Sequence, residues 1–345
     1  MEYRNIFVGG QWREPASEKR ISVECPANRE IMGSCPEATE QDVDAAVNAA
    51  KSALAGEKWS STSGEDRASH IDALSAAIKS RTDDLAVCAA REIAAPYSFC
   101  KGQVAMARMT LKFYGQLARN YEFEERRTGY FGQVLVRKEP VGVVAAIVPF
   151  NGPLFAAMLK IGPALASGST VVLKVPVEAP LFSYVLAECI QEAAIPAGVI
   201  NILTADRDAS EYLVAHPDVN MASITGSVVA GRRVAEICGS QIKRAALELG
   251  GKSAAIVCPD AELATVVPEL AKASVINSGQ ACAAQTRILI PRKRYEETVS
   301  ALGDAYRAMK VGDPFDPETA LGPMIHERHF ERVKACISAG LEEGG

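Results

Sequence analysis

Apolar residues recur at helical spacing in the first third of the chain. Between residues 39 and 119 they stand three and four positions apart, as in Val43, Ala46, Val47 and Ala50. This period puts them on one face of a helix, and Thr39 with the acidic residues after it supplies a helix start. We therefore predict helices through 39–119, preceded by short strands and turns over 6–37.

A second pattern begins at residue 141, where short apolar runs alternate with segments of helical length. The runs are apolar on both faces, which is typical of strands that helices cover on both sides. The predicted strands are 141–148, 170–174, 199–203, 222–225, 253–257 and 286–290, and the predicted helices are 154–167, 181–193, 228–238 and 261–277. The pattern predicts an α/β fold, a doubly wound, Rossmann-like parallel sheet with helices on both faces.

Between these two regions lies a charged segment, 122–138, that contains Gly129 and Gly132 and ends in a run of strand-forming residues. We interpret it as a protruding arm or hairpin. A chain of 345 residues is long for one core and favours two domains.

Charge and cysteine content exclude several functions. The formal charge is −5 and the signs are interspersed, so we expect neither a nucleic-acid partner nor a membrane partner. The amino terminus shows no secretory signal. The nine cysteines form no Cys-x-x-Cys pair, which argues against a metal site; a buried, reduced thiol in a cytoplasmic protein is the simplest interpretation of each.

Open α/β sheets bind ligands beyond the carboxyl ends of their strands, and two loops there suggest anion and oxyanion binding. Gly226 and Ser227 open a helix that ends its first turn at Gly231, which suits a dinucleotide pyrophosphate but equally a simple capped helix. Asn151, in the segment 149–153, can donate to an oxyanion or can simply form a turn.

Two further segments offer a base and a nucleophile. Glu248 precedes two glycines and is a candidate general base, or else a helix-end residue before a glycine stop. Cys282 follows a predicted helix and a glycine loop, a setting that can activate a thiolate or merely hold an inert thiol. We expect all four segments to lie at strand ends.

The succession of these motifs resembles the aldehyde dehydrogenase superfamily. The resemblance rests on Pro-Phe-Asn-Gly-Pro, the strand-end Lys174, Thr-Gly-Ser, Glu-Leu-Gly-Gly-Lys and Gly-Gln-x-Cys, and on the opening Phe-Val-Gly-Gly-Gln-Trp at 7–12. It implies a dinucleotide-binding domain of residues 1–120 and 140–251, an oligomerisation arm at 121–139 and a catalytic domain at 252–345. It also implies a homodimer or homotetramer for the full-length form.

The resemblance implies specific roles for residues. Cys282 would attack an aldehyde, Asn151 and the Cys282 amide would hold the oxyanion, and Glu248 would activate water. The residues expected to contact NAD are Ile147, Val148, Pro149, Phe150, Asn151, Lys174, Glu178, Gly226, Ser227, Gly231 and Leu249.

Three features depart from the family pattern. Val177 stands where many NAD-selective relatives have a glutamate, with Glu178 one place later, so NADP is also possible. Phe150 replaces a common tryptophan. Relatives continue past Gly345 to a Glu-x-Phe/Ile-Phe-Gly-Pro motif, so the resemblance implies a truncated catalytic domain. Two alternatives stay open: a CoA-acylating dehydrogenase, and an inactive fragment that binds only nucleotide or a partner chain.

Overall fold

A computed structural model describes residues 1–344. The helices are α1 (Glu40–Ala55), α2 (Glu57–Ser60), α3 (Gly64–Ser80), α4 (Thr82–Ile93), α5 (Tyr97–Asn120), α6 (Pro153–Ser167), α7 (Phe182–Glu192), α8 (Arg207–Ala215), α9 (Val228–Ser240), α10 (Leu263–Ser274), α11 (Tyr295–Arg307) and α12 (Glu327–Glu342). The strands are β1 (Ile6–Val8), β2 (Gln11–Arg13), β3 (Arg20–Glu24), β4 (Ile31–Pro36), β5 (Glu124–Gly129), β6 (Gly132–Arg137), β7 (Val143–Ile147), β8 (Thr170–Val175), β9 (Ile200–Thr204), β10 (Met221–Gly226), β11 (Arg244–Leu249), β12 (Ala254–Ile256) and β13 (Arg287–Leu289).

The central sheet confirms the predicted α/β class. Its strand order is β11-β10-β7-β8-β9-β1-β2. The first five strands are parallel, and β1 and β2 extend the sheet antiparallel at one edge. The short strands expected before residue 37 are present. The sequence did not predict that two of them, β1 and β2, belong to the main sheet.

Helices cover both faces of this sheet, and the residues of β7 show how. Val144 and Ala146 lie in a core with the helices α3 to α7, whereas Val143 and Ala145 lie in a second core with α1, α8 and α9. Successive residues of a strand point to opposite faces, so a strand buried on both sides needs the unbroken apolar run seen in the sequence.

The predicted arm forms a two-stranded antiparallel hairpin of β5 and β6. Its tip carries Tyr130 and Phe131, which are 96% and 99% exposed. A separate parallel pair, β12 and β13, packs with α10 and α11 around a third, smaller core. The domain boundaries and the oligomerising role of the arm stay predictions.

One element corrects the sequence analysis. The segment Arg244–Leu249 is strand β11 at the edge of the central sheet, so Glu248 lies near the end of a strand and the interpretation as a helix end is wrong. Its side chains are half-buried or exposed, and the segment therefore lacks the apolar run that identified the other strands.

Candidate active site

Cys282 lies in a turn between α10 and β13 and is exposed. The expectation that its segment follows a strand is wrong, since the loop comes after a helix and before a strand. Asn277, Ser278 and Gly279 all have a left-handed backbone, with φ values of 51°, 56° and 74°. Non-glycine residues in this region cost about 1–3 kcal/mol each and persist only where surrounding contacts hold them.

Those contacts join the cysteine loop to the end of β7. The Asn151 side-chain amide donates to the carbonyl of Gln280, at an N–O distance of 2.6 Å. In return, the Asn277 side-chain amide donates to the carbonyl of Asn151 at 3.2 Å. Asn151 is thus bonded to Gln280, which stands two residues before Cys282 in the chain. The side-chain amide of Asn151 has a second N–H to offer.

A second set of contacts fixes the same loop from the other side. The Ile325 amide donates to Gln280 Oε1 at 3.1 Å, and the Ser278 hydroxyl donates to the carbonyl of Gly322 at 2.8 Å. Gly322 in turn lies against the Ala94 carbonyl, where a β-carbon would overlap the oxygen. The loop that carries Cys282 is therefore held between the central sheet and the 322–325 segment.

Glu248 lies beside Thr225, its partner in the parallel register of β10 and β11. Its side chain is exposed, as is that of Cys282. The candidate base and nucleophile therefore both face solvent, and the base is placed by strand pairing, not by a helix.

Lys160 on α6 is a site residue that the sequence analysis missed. It is only 7% exposed, and its Nζ donates to the Ser223 hydroxyl on β10 at 3.2 Å. Burial lowers the pKa of Lys160 to about 8, while the negative charge of nearby Glu248 opposes that shift. The only sequence signal was a lysine in a helix that is otherwise almost wholly apolar.

Four of the eleven predicted cofactor residues line one cavity of about 340 Å³; the other seven do not contribute to its wall. Lys174, Glu178, Ile147 and Ser227 all contribute to its wall, and Val177 is there too. Burial lowers the pKa of Lys174, and the charges of Glu178 and Asp206 oppose this. A cation at a strand end facing an open cavity, beside the start of a helix, fits the phosphate and ribose groups of a dinucleotide.

The helix start at Gly226 and Ser227 has a side-chain cap, one of the two roles that the sequence left open. The Ser227 hydroxyl accepts from the Ala230 amide at 3.2 Å, so it caps α9. Gly231, one turn on, faces Leu249: a β-carbon there would lie 2.5 Å from the leucine methyl carbons. The absence of a side chain at Gly231 thus makes room for Leu249, which follows Glu248.

Two of the predicted cofactor residues, Phe150 and Glu178, lie close to residues of α12. The Val148 amide donates to the Lys174 carbonyl at 3.2 Å, and Pro149 continues the chain toward Phe150. The Phe150 ring meets the His329 ring edge-on, with centroids 5.1 Å apart. Glu178 lies 3.8 Å from the Arg328 guanidinium. No sequence motif marked Arg328 or His329, because their closeness to the cofactor cavity arises only in the folded chain.

Residues 1–344 hold no cluster of three or more His, Cys, Asp or Glu side chains suited to a metal ion. None of their helices has both the length and the apolar run needed to cross a membrane. A larger cavity of about 760 Å³ lies between the β3–β4 hairpin and the 311–323 segment, and none of the predicted site residues lines it. Cys258 and Cys336 are exposed, as Cys282 is, so a buried thiol was the wrong interpretation for those two.

The fold and the site together define a class of protein. A sequence model of the aldehyde dehydrogenase family matches residues 12–345, and the chain belongs to that family. It is an aldehyde dehydrogenase, as the family match and the similarity to known proteins show.

Two curated relatives indicate the range of the similarity. The geranial dehydrogenase of Castellaniella defragrans is 41% identical over 345 residues, which cover 99% of this chain and 72% of that protein. The 3-succinoylsemialdehyde-pyridine dehydrogenase of a Pseudomonas species is 36% identical over 350 residues, covering 99% and 71%.

Solved structures agree with the fold. An aldehyde dehydrogenase of Mycobacterium tuberculosis in complex with NAD+ has a TM-score of 0.97 at 40% identity and covers 99% of this chain and 71% of that one. A mutant of aldehyde dehydrogenase C from Pseudomonas syringae, with NAD+ and octanal, has a TM-score of 0.95 at 37% identity, covering 99% and 70%.

Proposed function

We propose that this protein oxidises an aldehyde to a carboxylic acid through a covalent intermediate on Cys282, with Glu248 as the general base. The observation that carries the proposal is the hydrogen bond from the Asn151 amide to the Gln280 carbonyl, which brings an oxyanion donor to the cysteine loop. The alternative of a CoA-acylating enzyme lacks such support, since Glu248 supplies the base that hydrolysis requires.

In the first step the Cys282 thiolate adds to the aldehyde carbon, and the carbonyl oxygen becomes an oxyanion. The free N–H of the Asn151 amide and the Cys282 backbone amide stabilise that charge. The chemistry supplied by bound NAD is acceptance of a hydride, which converts the thiohemiacetal into a thioester. The residues that would hold NAD are those of the cavity wall, above all Lys174, Glu178 and the start of α9, with NADP as a second possibility because of Val177.

In the second step Glu248 takes a proton from water, which attacks the thioester and releases the acid and the thiolate. Lys160 is a buried cation close enough to Glu248 for the charge of that carboxylate to act on the pKa of the lysine. A lysine with a pKa of about 8 also exchanges protons near neutral pH.

A cysteine exchange tests the nucleophile. We expect Cys282→Ala to lower NADH production to background, because removing a covalent nucleophile costs about 10⁴-fold or more in related mechanisms. NADH absorbance during turnover measures it. The matched control is Cys258→Ala, which removes another exposed thiol and should keep full activity.

Three results would contradict parts of the proposal. Residual turnover by Cys282→Ala above background would refute the nucleophile. Accumulation of an acyl-CoA in place of free acid, when CoA is present, would favour the acylating alternative. Binding of NAD without any turnover by the unmodified protein would favour the inactive fragment.

An apolar stripe on α5 supports a substrate with an apolar tail. Met106, Met109 and Phe113 stand at helical spacing on one face of this helix and are 45%, 70% and 57% exposed. Leu159 of the neighbouring helix α6 is 43% exposed. Contiguous exposed apolar side chains mark interaction surfaces, among them ligand-binding grooves, and this row lies beside the proposed site.

Contacts between α5 and α6 set the direction of this stripe. A β-carbon at Gly152 would lie 3.0 Å from Gln103 Oε1, and one at Gly162 would lie 2.6 Å from the Tyr114 ring. The later residue of α6 contacts the later residue of α5, so the two helices run side by side in the same direction. The stripe therefore starts just beyond Gly152, next to Asn151, and extends away from the reacting centre for about 10 Å from Met106 to Phe113.

We therefore propose aldehydes with an uncharged apolar chain as the substrates. The name of the geranial dehydrogenase and the octanal in the Pseudomonas syringae structure agree with this class.

A charge placed in the stripe tests this. We expect Phe113→Asp to lower kcat/KM for octanal about tenfold or more, because an apolar chain would then meet a charge, while kcat/KM for propanal changes little. Steady-state kinetics with the two aldehydes measure the ratio. The control is Lys112→Asp, a charge change one residue away on the same helix and outside the stripe. An unchanged octanal-to-propanal ratio in Phe113→Asp would contradict the assignment.

A further inference from the structure

Glu92, in the last turn of α4, is the most deeply buried carboxylate outside the site, with 0% of its side chain exposed. Three donors converge on it. The Leu181 amide donates to Oε1, the Phe182 amide donates to Oε2 at 3.1 Å, and the Cys88 thiol lies 3.5 Å from Oε2. A buried carboxylate is stable only when its oxygens are satisfied in this way.

The two backbone donors, the amides of Leu181 and Phe182, belong to the start of α7. That helix has no side chain of its own to cap its first amides, because position 181 is a leucine. Glu92 supplies the missing acceptor from another helix, and a negative charge at a helix start is also favourable for the helix dipole. A contact between α4 and α7 therefore fixes where α7 begins.

The segment that leads into α7 also forms part of the cofactor cavity. Residues 176–181 connect β8 to α7, and Val177 and Glu178 within them line the cavity together with Lys174 at the end of β8. Pro176 and Pro180 restrict the backbone of this short loop. A displacement at Leu181 is therefore transmitted to Glu178, three residues earlier.

The titratable groups that face Glu92 do not neutralise it. They are Cys88 from its own helix, Tyr3 from the amino-terminal segment and Cys35 from β4. Burial raises the pKa of each of these three groups, so they are uncharged at neutral pH. Among residues 1–344 no ion pair involves Glu92, and the α7 amides are the groups that balance its charge.

We propose that Glu92 is a positioning residue for the cofactor site: by holding the start of α7 it sets the position of Val177 and Glu178 against the adenosine half of NAD. The inference rests on the proposed placement of the cofactor in this cavity. The ionised carboxylate matches the converging donors, whereas a protonated one places an O–H among them. Cofactor affinity should therefore depend on the charge of Glu92. Burial raises the pKa of this carboxyl to about 7, so the change falls near neutral pH.

Fluorescence titration with NADH, which needs no turnover, tests the inference at about pH 6 and about pH 8.5. We expect the unmodified protein to bind NADH about fivefold more weakly at the lower pH, the effect of losing roughly one hydrogen bond. Glu92→Gln should bind weakly at both values, with a flat profile. Glu92→Asp, which keeps the charge, should restore part of the pH dependence.

Leu85→Ala is the matched control, because Leu85 is a buried residue of the same helix whose side chain cannot accept a hydrogen bond from the α7 amides. It should lower stability yet leave the NADH profile unchanged. If Glu92→Gln does not fold, the profile of the unmodified protein decides, and a flat one refutes the inference. Glu92→Gln with unmodified affinity and slope also refutes it. Failure of the unmodified protein to bind NADH at either pH would refute the cofactor site itself and this inference with it.

Discussion

At the scale of single residues, two glycines of α9 differ in what surrounds them. Gly231 faces Leu249, whereas nothing lies within 4 Å of a β-carbon at Gly239. Alanine favours a helix over glycine by about 0.5–1 kcal/mol at either position. Only at Gly231 does the added methyl group force a neighbour to move.

We therefore expect Gly239→Ala to be neutral or stabilising and Gly231→Ala to be less stable than it by about 1–3 kcal/mol, the usual cost of overpacking. Urea unfolding of the two variants measures the difference. Because Leu249 adjoins Glu248, the second variant should also turn over more slowly. Equal stabilities would mean that Leu249 rearranges freely.

The burial of Glu92 also predicts how the free energy of unfolding changes with pH. Its pKa is raised from 4.5 to about 7 in the folded protein, so between those values the folded state holds a proton that the unfolded state has released. Raising the pH through this window therefore destabilises the folded state, by about 3 kcal/mol once the pH exceeds 7. At pH values below about 4.5 this contribution disappears.

Urea midpoints at about pH 5 and about pH 8 check the sign. The unmodified protein should lose stability between them relative to Glu92→Gln, whose side chain does not ionise. Equal losses in Glu92→Gln and in the unmodified protein would show that the donors offset burial and that the pKa of Glu92 is not raised.

The candidate site could be predicted from sequence only where residues form a local motif. Cys282, Asn151 and Glu248 each stand in a short segment whose glycines and prolines mark a loop, and the structure links the first two through Gln280. Lys160 stands in a helix with no such marker, and its contact with Ser223 spans 63 residues of sequence. Lys160 is recognised as a site residue by its burial and its long-range contact, neither of which its residue type or its sequence neighbours indicate.

At the scale of elements, periodicity succeeded where one or both faces of an element are buried. The helices α1 to α5 lie between residues 40 and 120, which matches the predicted helical region of 39–119, and the strands β7 to β10 lie within a few residues of their predicted bounds. The strand β11 was missed because its sequence, Arg-Ala-Ala-Leu-Glu-Leu, favours a helix locally and its side chains are half-buried or exposed. Pairing with β10 overrides that local preference.

At the scale of the whole molecule, the class of fold followed from the alternation of strands and helices, but the sheet order did not. The strand β1 joins the sheet beside β9, about two hundred residues away, through the single pairing of Phe7 with Ile202. No pattern in the first 37 residues identifies that neighbour. Similarly, Gly322 packs on Ala94 because the 311–325 segment returns to the end of α4, a contact that only the folded chain defines.

The place of β11 at the rim of the central sheet has a consequence for the proposed base. Within residues 1–344 this strand is bonded to a neighbour on one side alone, so thermal fraying of the sheet reaches Glu248 sooner than it reaches Asn151, which follows the interior strand β7. Amide hydrogens should accordingly exchange with solvent faster in β11 than in β7. The carboxylate would then be the more mobile partner, able to swing toward water while the amide stays rigid.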